Sequence, residues 1–233
     1  MNKLGKIGVI VSARMNSSRL AQKAILQLSG VPMISFLLKR LKTSCKTDEI
    51  ILATSYLNQD DPLEQIAKEE SVKCFRGSLD DVVERYVEAA AAFDIDTVAR
   101  VTGDCPFVNG EIIDYAAKTA SNLEFDLCTT KGHFPVGLDV EIYHAKAMKK
   151  AHMSTLLNRD HREHLTLHYY QDNKKYNVVS LIPKPEWTNK NIHYTVDVLD
   201  DLEKANSITK NFNDINFTIA DLIDLSGQEK WKE

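Results

Sequence analysis

Apolar and polar positions along this chain follow two rhythms, and the change between them falls near residue 130. Before that point, short and nearly continuous β-branched runs alternate with stretches carrying apolar residues at helical spacing. Lys6 to Ala13 reads KIGVIVSA, Glu49 to Thr54 reads EIILAT, and Thr97 to Thr102 reads TVARVT. Runs of this kind predict strands buried on both faces of a parallel sheet. Val72–Phe75 predicts a shorter strand, and Asp126–Thr130 another. Met33, Ile34, Leu37, Leu38 and Leu41 predict a helix opened by Pro32. Asp60 and Pro62 suit the cap and first turn of a second helix. Ser78 with Asp81 resembles an acidic capping box for a third, running to about Phe93, and a fourth covers about Glu111–Asn122. Strands alternating with helices argue for an open, mostly parallel sheet covered on both faces.

After residue 130 the pattern changes. Gly137 to Tyr143 alternates strictly, with Leu138, Val140 and Ile142 on one face and Asp139, Glu141 and Tyr143 on the other. That alternation predicts an antiparallel strand with one wet face. Helical patterns follow over about Ala145–Leu157 and Asp160–Tyr170, then strands near Asn177–Ile182 and Ile192–Val196, then a helix over about Leu199–Lys210. There is no internal repeat, low-complexity tract or linker. The simplest organisation is one α/β domain over residues 1–233, with an antiparallel and helical subregion inserted at about 131–190, and 233 residues are ample for a continuous core.

Composition narrows the function classes. Lys and Arg number 29 against 33 Asp and Glu, a formal net charge of −4, which argues against a dedicated nucleic-acid binder. No apolar run approaches the roughly 18 residues of a membrane-spanning helix. The apolar stretch near the N-terminus is too short for a signal-peptide core. Cys45, Cys74, Cys105 and Cys128 lie far apart with no CxxC pair, as expected of reduced thiols in a cytoplasmic protein. Neither nucleic acid nor membrane is an expected partner, and a homodimer is the default closed assembly.

In open α/β sheets ligands bind beyond the carboxyl ends of the strands, so the residues there carry the functional signal. The loop after the first strand holds Arg14, Arg19 and Lys23, with Ser12, Asn16, Ser17 and Ser18 among them. Such a set suits a polyphosphate, since Arg binds phosphate bidentately and Lys binds it as a point charge, the plain alternative being a solvated basic loop. The loop is neither a Walker P-loop nor a GxGxxG fingerprint. Asp104 in TGDCP and Asp197 in YTVDV end two other strands. Paired carboxylates facing a cationic phosphate loop are what Mg²⁺ with a nucleoside triphosphate requires. The face bearing Asp139 and Glu141 suits either a polyol or plain solvent. His161, His164 and His168 share one face of the predicted helix, which suits zinc, a substrate-contacting Arg162/His164 cluster, or a surface face. Cys105 reads as a small buried residue under the metal loop more readily than as a nucleophile.

Together these residues resemble a known family. The segment Arg14-Met15-Asn16-Ser17-Ser18-Arg19-Leu20-Ala21-Gln22-Lys23 is similar to the signature loop of the cytidylyltransferases that make CMP-activated sugars, such as the CMP-Kdo and CMP-sialic acid synthetases. The spore-coat-polysaccharide type shares more: Phe75-Arg76-Gly77-Ser78 through Asp81 with Arg85-Tyr86; Arg100 to Pro106; Gly137 to Glu141; Arg162-Glu163-His164; and Tyr194 to Asp197 with Asp200-Asp201-Leu202. The resemblance implies a three-layer α/β/α GT-A-like nucleotidyltransferase fold and the reaction of CTP with a small-molecule acceptor, a sugar acid or related phospho compound, giving a CMP-activated product and pyrophosphate. It implies Mg²⁺ on Asp104 and Asp197. It implies nucleotide contacts from Ser12, Ala13, Arg14, Arg19, Lys23, Arg76, Thr102 and Gly103, with Arg19, Lys23 and Asp104 catalytic. Asp139, Glu141, Arg162 and His164 would lie on the acceptor side. Two positions depart from the family pattern. Ala21-Gln22 replaces Pro-Gly, which implies a looser loop, and Val198-Leu199-Asp200 replaces Thr-Pro-Glu, which removes a helix cap and a first-turn proline. Two rival readings are a same-fold enzyme with another donor (a GTP- or UTP-using pyrophosphorylase or a glycosyltransferase) and a degenerate nucleotide-binding regulatory subunit.

Overall fold

The first strand, β1 (Ile7–Ser12), lies at the middle of the molecule because both of its faces are apolar. Val9, Ile10 and Val11 are all fully buried, Val9 and Val11 on one side of the sheet and Ile10 on the other. The computed structural model describes residues 3–17, 19–154, 157–172, 174–188 and 192–227, so Ser18 of the cationic loop lies outside the described residues. A short hairpin, β2 (Gln27–Leu28) and β3 (Val31–Pro32), leads into α1 (Met33–Leu41). Then follow β4 (Glu49–Ser55), α2 (Asp61–Glu69), β5 (Lys73–Gly77), α3 (Val82–Ala92), β6 (Thr97–Thr102) and α4 (Gly110–Ala120). The remainder comprises β7 (Leu127–Thr129), β8 (Glu141–His144), α5 (Ala145–His152), α6 (Arg159–Glu163), α7 (Leu167–Gln171), β9 (Val178–Ser180), α8 (Leu199–Thr209) and α9 (Ile219–Ser226).

Among the described residues, seven strands form one sheet in the order β5-β4-β1-β6-β8-β7-β9. Every strand runs the same way except β8, which pairs antiparallel with both β6 and β7. One apolar layer packs α1, α2, α4, α8 and α9 on one face, and α3, α5 and α7 fill the other. The architecture is therefore three-layer α/β/α with a mostly parallel sheet, as expected. No helix among the described residues is long and apolar enough to cross a membrane.

The reversed strand decides where chemistry collects. The parallel strands finish at one edge of the sheet, and β8, running the other way, begins at that same edge. Asp139 and Glu141 thus join the residues that follow β1, β5 and β6. The ladder also sets Arg100 directly opposite Glu141.

Several expectations are corrected. The strand predicted over Gly137–Tyr143 is limited to β8, and its polar face is dry: Glu141 and Tyr143 are each 1% exposed. The alternation reflects an ion pair, not solvent. The helix predicted over Asp160–Tyr170 breaks between α6 and α7, where His164 adopts φ −105° and ψ 73°, so the three histidines share no continuous helical face. The helix predicted to Leu157 ends at His152, and Thr155 and Leu156 lie outside the described residues. Among the described residues, Ile192–Val196 joins no sheet. It is tied instead by the Tyr194 N–H to the Val136 carbonyl (2.7 Å) and the Val196 N–H to the Asp104 carbonyl (2.9 Å). Gly137, at φ +90°, permits this approach, since a Cβ there would sit 2.5 Å from the Tyr194–Thr195 backbone. Asp81, not Ser78, caps α3, accepting from the Glu84 N–H at 2.8 Å. The β2–β3 hairpin and α9 have no counterpart in the predicted elements.

Both departures from the family pattern are compensated. Gln22 takes the left-handed conformation (φ 54°, ψ 25°), and its N–H donates to the Met15 carbonyl at 3.1 Å, closing the cationic loop. The start of α8 is capped from within, because Asp201 Oδ2 accepts from the N–H groups of Asp197 (2.9 Å) and Val198 (3.0 Å). A left-handed non-glycine residue costs roughly 1–2 kcal/mol, partly offset in glycine by its looser unfolded chain. Gln22→Gly is therefore expected to keep or slightly raise the melting temperature, whereas Gln22→Val lowers it; thermal melts of the two variants check the order.

Candidate functional site

A cleft of about 730 Å³ opens at the carboxyl edge of the sheet, with Ser12, Ala13, Arg14, Arg19, Lys23, Thr102, Gly103 and Asp104 among its lining residues. Gly103 belongs there for a packing reason. Its N–H donates to the Ser12 carbonyl at 2.9 Å, and a Cβ would meet the Ala13 side chain at 3.0 Å. The loops after β1 and β6 are thereby pressed together, which sets Asp104 opposite the cationic loop.

Lys23, Arg19 and Asp104 of this lining join Asp197 in an ion cluster. Lys23 Nζ lies 3.2 Å from Asp104 Oδ2, 2.8 Å from Asp197 Oδ1 and 3.1 Å from the Val196 carbonyl oxygen. Arg19 reaches the same Asp197 Oδ1 at 2.8 Å from an exposed position. Burial would push the Asp104 carboxyl up, but the Lys23 ammonium and a hydrogen bond from Thr102 outweigh it and hold the group below its ordinary value. Cys105 is buried behind this loop, and its thiol, pushed well up by burial and by Asp104, stays protonated. The donor set passes a simple test for a divalent cation: two carboxylates and a carbonyl already converge on one positive charge. Mg²⁺ commonly takes one or two protein carboxylates and completes its octahedron with phosphate and water.

The cationic loop is held from below and from the side. Asp60, fully buried, accepts from the Met15 N–H at 2.8 Å and from the Ser55 hydroxyl, fixing the turn after β1. Arg14 donates to the Leu79 carbonyl at 3.3 Å. Arg85 spans the cleft floor, donating to the Ser78 carbonyl (2.7 Å) and the Ser12 hydroxyl (2.9 Å), and burial lowers its pKa. Arg85 stands inside a recognised motif block, yet sequence alone assigns it no role. Asp60 was legible only as a helix cap.

A smaller pocket of about 200 Å³ adjoins the cleft and shares Arg100, Thr102 and Asp104 with it; Cys105, Lys131, Asp139, Glu141 and Thr195 complete its lining. Asp139 Oδ2 accepts from the Gly137 N–H at 3.0 Å, and burial pushes its carboxyl up. Glu141 is committed within the protein: it pairs with Arg100 and with Lys131 (3.2 Å) and accepts hydrogen bonds from Thr166 (3.0 Å) and Tyr170 (2.6 Å). These charges hold it well below the usual carboxylate range despite burial.

The remaining expected residues divide. His164 lines the main cleft with Glu163. Arg162 does not: its guanidinium binds Asp81 and His152, docking α6 onto the start of α3. Arg76 is likewise apart from the cleft, bonded to Asp61 (2.7 Å), Glu64 (2.8 Å) and the carbonyls of Ser55 and Leu57. Both arginines sit where motif spacing put them, but acidic neighbours take their donors. His161 pairs with Gln171 at 2.7 Å, and His168 is buried against Tyr169.

A mostly parallel sheet with a cationic loop after its first strand and paired carboxylates across the cleft defines a nucleotidyltransferase. Within that class the chain belongs to the cytidylyltransferase family, whose model matches residues 8–222. It is 27% identical over 203 residues to the spore coat polysaccharide biosynthesis protein SpsF of Bacillus subtilis, a match covering 85% of this chain and 84% of that protein. A solved cytidylyltransferase from Leptospira borgpetersenii is similar with a TM-score of 0.89 at 30% identity, covering 95% of this chain and 93% of its own. A CMP:2-keto-3-deoxy-manno-octonic acid synthetase solved with CTP shares the fold, with a TM-score of 0.70 and 16% identity over 89% of this chain and 99% of its own.

Proposed function

We propose that this enzyme transfers CMP from CTP to a hydroxyl-bearing acceptor, a sugar acid or related phospho compound, with Mg²⁺ and release of pyrophosphate, in surface polysaccharide or glycoconjugate biosynthesis. The observation that carries the reading is the convergence of Lys23, Asp104 and Asp197, with Asp104 lining both a nucleotide-sized cleft and a smaller, acceptor-sized pocket. An acceptor seated in the smaller pocket faces the α-phosphorus of a nucleotide seated in the larger. Its hydroxyl oxygen attacks in line, forming the new O–P bond as its O–H bond breaks and the proton passes to solvent. The bond from the α-phosphorus to the bridging oxygen breaks, and pyrophosphate leaves with the electron pair. A Mg²⁺ held by Asp104 and Asp197 would supply charge neutralisation on the phosphoryl oxygens.

The chain's own residues do the rest. Arg14, Arg19 and Lys23 hold the triphosphate and stabilise the leaving group, the Ser12–Ala13 backbone meets the base, and Asp139 orients the acceptor hydroxyl. In this reading Glu141 and Arg162 position the acceptor side without touching the acceptor.

The test is a panel of CTP, UTP, GTP and ATP with Mg²⁺ and a set of sugar acids, polyol phosphates and phosphonates, read by pyrophosphate release and product mass. Of the four triphosphates, CTP is expected to give pyrophosphate and an acceptor heavier by one cytidylyl group (CMP less water). Turnover with UTP or GTP instead, or nucleotide diphosphate release in place of pyrophosphate, overturns the proposal.

A further inference from the structure

The ammonium of Lys23 occupies the point on which the two candidate metal carboxylates converge. Its three hydrogen bonds, to Asp104, Asp197 and the Val196 carbonyl, saturate all three of its donors. The side chain is only 15% exposed, so the contact is partly shielded from water and salt. By contrast Arg19, the other cation on Asp197, is 64% exposed and makes a weaker claim on it. Two carboxylates against Lys23 and Arg19 make a cluster whose formal charges cancel.

From this geometry we propose that Lys23 is an internal counter-ion that closes the dicarboxylate cation site until nucleotide arrives, so that divalent metal and triphosphate bind as a coupled pair. The inference rests on the reading of Asp104 and Asp197 as metal ligands and adds the order in which the site fills. A divalent cation arriving alone must expel Lys23 from three satisfied hydrogen bonds and leave it with no partner. A triphosphate arriving alone brings negative charge against the two carboxylates. Arriving together, the metal takes the carboxylates and the phosphates take Lys23 and Arg19, so each displaced charge finds a new partner at once. The same lysine thus serves two anions in turn, and its exchange between them is the coupling. Coupling between sites is reciprocal, so nucleotide tightens metal by the factor by which metal tightens nucleotide.

The test uses Mn²⁺ in place of Mg²⁺, followed by electron paramagnetic resonance of the free ion, on the full chain with and without α,β-methylene-CTP, which binds but cannot turn over. Without nucleotide, wild type is expected to hold Mn²⁺ weakly and Lys23→Met to hold it about 10-fold more tightly, within the roughly 5–150-fold span of such couplings. Adding the nucleotide analogue tightens Mn²⁺ on wild type by a similar factor and on Lys23→Met by much less. A variant that had merely lost its fold would bind metal less well, the opposite of the expected gain. Equal or weaker Mn²⁺ affinity in Lys23→Met overturns the counter-ion role while leaving the metal site standing, as does a wild-type affinity indifferent to nucleotide. If no form binds Mn²⁺ beyond what the analogue alone carries, and Asp104→Asn is no different, the metal reading falls and the coupling falls with it.

Discussion

Asp104→Ala is expected to lower CTP-dependent pyrophosphate release by roughly 10²–10³-fold in kcat/KM, the loss typical of removing one preorganised charge contact at a reacting centre. That corresponds to about 2.7–4 kcal/mol of transition-state stabilisation. The prediction is sharp because the loop's shape does not depend on the carboxylate. Its backbone is fixed by the Val196 N–H donating to the Asp104 carbonyl and by the Gly103 N–H donating to the Ser12 carbonyl, and alanine preserves both bonds. Lys23 also keeps two of its three partners, Asp197 and the Val196 carbonyl. The melting temperature should therefore move little while the rate collapses. A pyrophosphate-coupled assay alongside a thermal melt separates the two quantities. Full Mg²⁺-dependent turnover by the variant removes Asp104 from the mechanism, and a large fall in melting temperature assigns it to structure instead.

Most of the sheet was legible from sequence because its strands are largely buried and leave a nearly continuous β-branched or aliphatic run, as in β1, β4 and β6. What escaped depended on tertiary contacts. The alternation at Gly137–Tyr143 reads the same whether the polar face meets water or a buried partner, and only the antiparallel register opposite Arg100 reveals that Glu141 is dry. The Asp160–Tyr170 helix kept its apolar spacing in sequence, yet the chain turns at His164 and brings it into the cleft. Around the candidate site, Arg14, Arg19, Lys23 and Asp104 were singled out by the rule that strand ends carry the ligand, whereas Asp197 follows a segment that joins no sheet among the described residues and meets the others through its contacts with Lys23 and Arg19. Arg76 and Arg162 show the limit of that rule. A guanidinium in a motif does not announce whether its donors face a phosphate or a neighbouring carboxylate, and here Asp61, Glu64 and Asp81 take them. Arg85 and Asp60 are the converse: buried polar groups that shape the cleft, chosen by contacts that no spacing encodes.

Glu141→Gln is expected to destabilise the protein by about 3–5 kcal/mol, the cost of leaving a buried charge without its counter-ion. For a chain of this size that is a fall of roughly 10 °C in melting temperature. The amide is nearly isosteric and can still accept from Thr166 and Tyr170, so the variant isolates charge from shape. What it strands is the Arg100 guanidinium, paired across the β6–β8 ladder, with Lys131 at the pocket rim as a second unneutralised cation. Replacing both members of the pair, as in Arg100→Met with Glu141→Leu, is expected to recover much of the loss, because the desolvation cost of the pair disappears with it. Acidity supplies an independent check. The Glu141 carboxyl sits well below its ordinary value in the folded chain, so its contribution is complete above an unfolded value of about 4.3 and is lost as pH falls through the folded one. Wild type should therefore lose stability below about pH 4 more steeply than Glu141→Gln, which has no carboxylate to protonate at this position. Chemical denaturation at several pH values reads both effects. A variant that matches wild type at neutral pH and follows the same acid profile would show that the Arg100–Glu141 ion pair adds nothing to the stability of the fold.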